Sequence, residues 1–150
     1  VHGSRRLRLM ILGEGRQRQR LLAEAERLGV ADDFALPGFV ANPYPYLRRA
    51  SLFVLSSLWE GSPNVLSEAL AVGTPVVATD CPSGPREILQ GGRYGPLLPI
   101  GDVDALADAI DRTLTKPLPR EVLREAVRDY TMEKCGRSYL EAFGLRPKGA

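Results

Sequence analysis

Three short, almost uninterrupted apolar runs constrain this chain most: Leu7 to Leu12, Leu52 to Leu55, and Pro75 to Thr79. Such runs read as strands buried on both faces. Each is followed by small residues and then by a stretch with helical spacing. Gly13-Glu14-Gly15 precedes a helix with Leu21, Leu22, Ala25 and Leu28 on one face and Gly29 as its stop. The run at 52–55 leads into a helix from Pro63 to Val72, stopped at Gly73. The run at 75–79 leads into a helix begun by Ser83 or Gly84, with Pro85 near its first position, and carried through Gln90. Shorter strands are expected at Phe34 to Leu36, ended by Pro37-Gly38, and at Gly95 to Ile100. A short helical segment is expected from Asn42-Pro43-Tyr44-Pro45 through Ala50. Strands alternating with helices predict an α/β fold with a parallel sheet and helices on both faces.

The C-terminal third reads as helical. Asp102 is a natural N-cap for a helix bearing Val103, Leu106, Ala107, Ile110 and Leu114. Lys116-Pro117-Leu118-Pro119 breaks it. Two amphipathic helices follow, one with Val122, Leu123, Ala126 and Val127, the next with Met132, Cys135, Tyr139 and Phe143. Cys135 is expected in the core. Residues 1–6 are expected to be disordered or left over from cloning, 7–144 to form the domain, and 145–150 to be a disordered tail.

Bulk properties exclude several classes. With 44% hydrophobic and 25% charged residues the 150-residue chain has a globular composition. A net charge of +2 is too small to argue for nucleic acid. No apolar run approaches the roughly 18 residues of a membrane span. Two cysteines make no disulfide framework, so a cytoplasmic, reduced setting is the default. The lone histidine, His2, stands near an end, which argues against a Ser-His-Asp triad or a histidine-rich metal site. No metal or other cofactor is implied.

The segment Trp59-Glu60-Gly61-Ser62-Pro63-Asn64-Val65-Leu66-Ser67-Glu68 is the candidate site. It follows the carboxyl end of a strand, where open α/β sheets bind ligands. Ser62 is read as the N-cap and Pro63 as the first helical residue. The N–H groups of Asn64, Val65 and Leu66 would then lack intrahelical partners and face a phosphate or hydroxyl oxygen. Glu60 would reach over the site, and Glu68 lies roughly 9 Å further along the helix axis. On spacing alone, the two acids read rather as a surface-loop acid and a solvated helical position, and it is the neighbours Gly61, Ser62 and Pro63 that turn the reading toward a site. Arg16, Arg18 and Arg20 read as a solvated helix face, Arg86 as a surface residue near a helix start, and Trp59 as packed beneath the loop. Gly13-Glu14-Gly15 is no dinucleotide fingerprint, because Arg18 stands where a third glycine is needed.

The stretch from Trp59-Glu60-Gly61-Ser62-Pro63 through Glu68-Ala69-Leu70-Ala71-Val72-Gly73-Thr74-Pro75-Val76-Val77 resembles the signature of family 4 glycosyltransferases, retaining enzymes of the GT-B fold. The likeness continues through Gly84-Pro85-Arg86-Glu87-Ile88 and back to Leu12-Gly13-Glu14-Gly15 and Pro37-Gly38-Phe39-Val40, covering about 7–143. The resemblance implies the Rossmann-like C-terminal, donor-binding domain and a nucleoside diphosphate sugar as donor. It implies that Glu60 contacts donor sugar hydroxyls at the reacting centre. Backbone groups of Gly61, Ser62, Pro63, Asn64, Val65 and Leu66 would hold sugar and diphosphate, and Glu68 the ribose. Gly38, Phe39 and Val40 would lie against the base, with Gly13 and Gly15 near the nucleotide.

The resemblance also implies a strand–helix unit ahead of residue 7, carrying an Arg and a Lys for the diphosphate, and an N-terminal acceptor-binding domain. Neither has a counterpart in this chain, which is therefore expected to be an inactive fragment when alone. The full-length enzyme would be cytoplasmic or peripheral to the membrane, with a lipid-linked or polysaccharide acceptor as the family-level expectation. Closing the sheet without that unit gives the expected order 34–36, 7–12, 52–55, 76–79, 96–98, with 7–12 paired directly to 52–55. An open sheet edge would favour self-association. Two other readings stay open: a sugar-nucleotide epimerase of the same architecture, and a non-catalytic nucleotide-binding α/β module.

Overall fold

The computed structural model describes residues 6–145, and the remaining terminal residues, His2 among them, lie outside the described part. The described residues divide into two compact units, 6–45 and 46–145, with the division inside a short helix.

The first unit holds β1 (Leu9–Leu12), α1 (Arg18–Arg27), a single 3-10 turn and β2 (Phe34–Gly38). The two strands are parallel, with Leu9 opposite Phe34, Met10 opposite Ala35 and Leu12 opposite Gly38. The register slips between Met10 and Leu12. Contrary to expectation, β1 is not buried: Leu9 is 55% exposed, Met10 49% and Ile11 38%. One helix and two strands cannot cover both faces of a parallel pair.

The second unit begins in α2 (Tyr44–Arg49), which starts in the first, and continues through β3 (Phe53–Leu55), α3 (Asn64–Ala71), β4 (Val76–Thr79) and α4 (Pro85–Ile88). Then come β5 (Leu97–Leu98), α5 (Val103–Thr115), α6 (Arg120–Glu125) and α7 (Met132–Ala142). The three strands are parallel in the order β3-β4-β5. All four residues of β4 are buried, as befits the central strand of a covered parallel sheet. Val76 and Ala78 pack with Leu66, Leu70, Ile88 and Leu123 on one face, while Val77 meets Leu98 and Ala109 on the other. Helices therefore cover both faces, and Asp102 caps α5 by accepting from Ala105 N–H at 2.9 Å, as its sequence predicts.

The expected five-stranded order is corrected. Among the described residues β1 has a ladder with β2, and none joins it to β3. β3 is three residues long, so such a ladder would add only about two or three slanted bonds.

A second correction concerns α7. Thr131 caps it, accepting from Lys134 N–H, yet none of its residues is fully buried. Met132 is 94% exposed, Tyr139 and Phe143 lie open, and Cys135 is only half-buried with a free thiol. The amphipathic pattern formed the helix, but nothing among the described residues covers its apolar face.

Candidate functional site

The loop between β3 and α3 is built on two hydroxyls. The buried Thr79 side chain, at the end of β4, donates to Ser57 O at 2.6 Å and lies 3.3 Å from Leu55 O. It thereby ties the outgoing end of β3 to the central strand. Ser57 in turn donates from Oγ to Glu60 Oε1 at 2.6 Å, a short charge-assisted bond. Glu60 is half-buried and held at the carboxyl end of the sheet.

The start of α3 differs from expectation. Pro63 is the N-cap, at φ −75° and ψ 79°, and no side chain caps the helix. Ser62 therefore stands outside it. With these angles Pro63 is the centre of an inverse γ-turn, and Asn64 N–H donates back to Ser62 O at 2.9 Å. Leu66 N–H donates to Pro63 O, also at 2.9 Å. Of the three N–H groups expected to be free, only that of Val65 has no backbone partner among the described residues. Proline's fixed φ and missing N–H favour the tight turn over an ordinary cap.

A second support comes from the β4–α4 loop. Gly84, at φ +95°, lies so close to Pro63 that a Cβ there would overlap the proline ring. Pro63 itself is buried. Leu66, Ala69 and Leu70 point into the core and anchor α3. Glu68 lies on the same helix, half-buried. Arg86 chelates Asp80 through Nε, at 3.1 Å, and Nη2, on the exposed surface. Trp59 does not pack beneath the loop: it is 77% exposed, beside Leu58 at 65%.

In the first unit, Gly13 and Gly38 come together directly, Gly13 N–H donating to Gly38 O at 2.8 Å. Gly38 has φ +87°, and a Cβ on it would come within 2.5 Å of Glu14 Oε1. Arg18, expected to be solvated, instead donates to Leu36 O at 2.8 Å and lies 3.5 Å from Glu14. It locks the strand-to-helix turn through Gly15 onto β2, over a cavity of about 160 Å³. Phe39 is 78% exposed and Val40 half-buried. Among the described residues no three His, Cys, Asp or Glu gather as metal ligands. No described helix is long and apolar enough to cross a membrane.

Sequence reasoning missed Ser57, Thr79 and Gly84. A signal existed for the first two: a hydroxyl three residues before the loop acid, and one polar residue closing an apolar strand.

A covered parallel sheet with a carboxylate-bearing loop at a strand's carboxyl end defines a Rossmann-like α/β fold, and open sheets of this kind bind ligands at that end. Residues 1–116 match the model of the family described as glycosyl transferases group 1. An uncharacterized glycosyltransferase of Methanocaldococcus jannaschii is 40% identical over 117 residues, which is 77% of this chain and 28% of that protein. The lipopolysaccharide outer core galactosyltransferase WaaB, in its apo form, superimposes with a TM-score of 0.82 at 22% identity, over 91% of this chain and 40% of WaaB. HepE from Anabaena, solved in complex with UDP, gives a TM-score of 0.81 at 20% identity, over 92% of this chain and 41% of HepE. The chain belongs to the glycosyl transferases group 1 family, and its fold is that of the GT-B enzymes. It spans well under half the length of these relatives.

Proposed function

We propose that this chain is the donor-binding part of a retaining glycosyltransferase that takes a sugar from a nucleoside diphosphate sugar. The observation that carries the reading is the Ser57–Glu60 bond. It holds a carboxylate beside the start of α3, where the N–H of Val65 has no backbone partner. Glu60 accepts hydrogen bonds from donor sugar hydroxyls and supports positive charge at the anomeric carbon. Backbone groups of Gly61, Ser62, Pro63, Asn64, Val65 and Leu66 hold the sugar and diphosphate, aided by the positive end of the helix dipole. Glu68 binds the ribose diol.

Gly38, Phe39 and Val40 lie along the base, and Gly13 and Gly15 near the nucleotide. The developing charge on the leaving diphosphate is stabilised electrostatically, without a metal. HepE, a neighbour in fold, was solved with UDP, which supports a nucleoside diphosphate as the ligand class. Because this chain spans about a third of its relatives, transfer requires the rest of the enzyme, including an acceptor-binding domain. The full-length enzyme works in the cytoplasm or at its membrane surface, in glycan assembly.

Ligand-observed NMR with UDP, GDP, ADP and their sugar conjugates tests the reading, beside Glu68→Ala. One base should bind selectively, and Glu68→Ala should weaken it by about 1.5–3 kcal/mol. Affinity unchanged by that substitution would remove Glu68 from the ribose. If none of the nucleotides binds even to the full-length enzyme, the donor reading is wrong.

A further inference from the structure

A cavity in the second unit lies away from the candidate donor loop. It has a volume of about 380 Å³ and opens at the amino ends of β4 and β5. The loop bearing Glu60 leaves the carboxyl end of β3, and the three strands run parallel, so the two places are at opposite ends of one sheet.

Its lining is charged with one sign. Arg93 enters from the segment before β5, and Arg112 and Lys116 from the end of α5. No aspartate or glutamate lines the cavity, and none of the three cations pairs with a carboxylate among the described residues. Arg112 stands in the last turn of α5 and Lys116 is its C-cap, two like charges that repel if close. The carbonyl end of α5 offsets part of that repulsion, but it supplies no reason for Arg93 to converge from another element. Arg93 is held over the ring of the buried Tyr94, its Cζ 5.1 Å from the centroid. The three cations are exposed, and the cavity that they line also has apolar walls, which include Val76 and Leu123.

We propose that this cavity is a second binding site, for a phosphate ester whose anionic group meets Arg93, Arg112 and Lys116. Its compact organic part rests on the apolar wall. The volume lies within the range of small-molecule pockets, roughly 300–1,000 Å³. The proposal does not depend on the assignment of the donor site.

The test is titration of the 150-residue chain with inorganic pyrophosphate at low ionic strength, followed by amide shifts. A parallel arm measures sedimentation with phosphatidylcholine vesicles with and without phosphatidic acid. Pyrophosphate should shift Gly92, Arg93 and Tyr94. Arg93→Gln and the pair Arg112→Gln with Lys116→Gln should each weaken binding roughly tenfold, while Arg93→Lys keeps most of it. Arg128→Gln, outside the cavity, should leave it unchanged, and thermal midpoints should show that the variants fold. Co-sedimentation with phosphatidic acid that Arg93→Gln abolishes identifies a lipid headgroup as the source, and pyrophosphate binding without it a soluble ester. Absence of both, shifts confined to residues 57–68, or affinities indifferent to the cavity variants would overturn the proposal.

Discussion

The Ser57 hydroxyl donates to the Glu60 carboxylate at 2.6 Å, and the Ser57 carbonyl accepts from Thr79 at the same distance. One residue thus connects a buried strand end to the acid of the candidate site. Ser57 acts by positioning Glu60, so Ser57→Ala in the full-length enzyme should lower kcat roughly tenfold with little change in KM for the donor. Ser57→Thr should retain most of the rate. Equal losses in the two variants would mean that the hydroxyl bond is not what matters.

Thr79→Val keeps the shape and removes the donor. The Ser57 carbonyl loses its donor, which should cost about 1–3 kcal/mol. Urea unfolding followed by near-ultraviolet dichroism checks this. A change under about 0.5 kcal/mol would show that the carbonyl finds another partner.

Gly84→Ala is strained twice, by its positive φ and by overlap with Pro63. It should destabilise the chain by more than about 1 kcal/mol. It should also shift the amides of Asn64 and Val65, and a stability loss without those shifts would uncouple the two loops.

Two exposed carboxylates should titrate low. The hydrogen bond from Arg27 is the main cause at Glu24, and that from Lys134 at Asp129. Each group's folded pKa is depressed, so its contribution is present above the unfolded pKa. It is lost as pH falls from the unfolded pKa through the lower folded one. Carboxyl-carbon NMR titrations at low and high salt should show both shifts shrinking with salt. Ordinary values at low salt would mean that the pairs do not persist in solution.

Among the described residues β1 pairs only with β2, and its two faces carry the exposed Leu9, Met10 and Ile11. Sedimentation velocity should show concentration-dependent association, reduced by Ile11→Lys. A monomer at every concentration would refute it.

The strand and helix pattern was legible because continuous apolar runs and caps such as Asp102 are local signals. The carboxylate loop was legible because its small residues sit between a strand and a helix. What escaped depends on distant neighbours. The apolar spacing of α7 is the same whether or not anything covers it, and Trp59 looks identical packed or exposed. The pairing of β1 is decided by what lies beside it. Pro63 shows a subtler limit, because proline suits both a first helical position and an inverse γ-turn, and only the φ/ψ pair tells them apart.

That proline also bears on the thermodynamics of recognition. Its ring narrows the choices of the loop even in the unfolded chain, and the contact with Gly84 removes most of those left. A ligand settling on Val65 N–H therefore meets a segment whose freedom was surrendered during folding. The entropy of ordering it appears in the stability of the domain, and affinity is spared that cost.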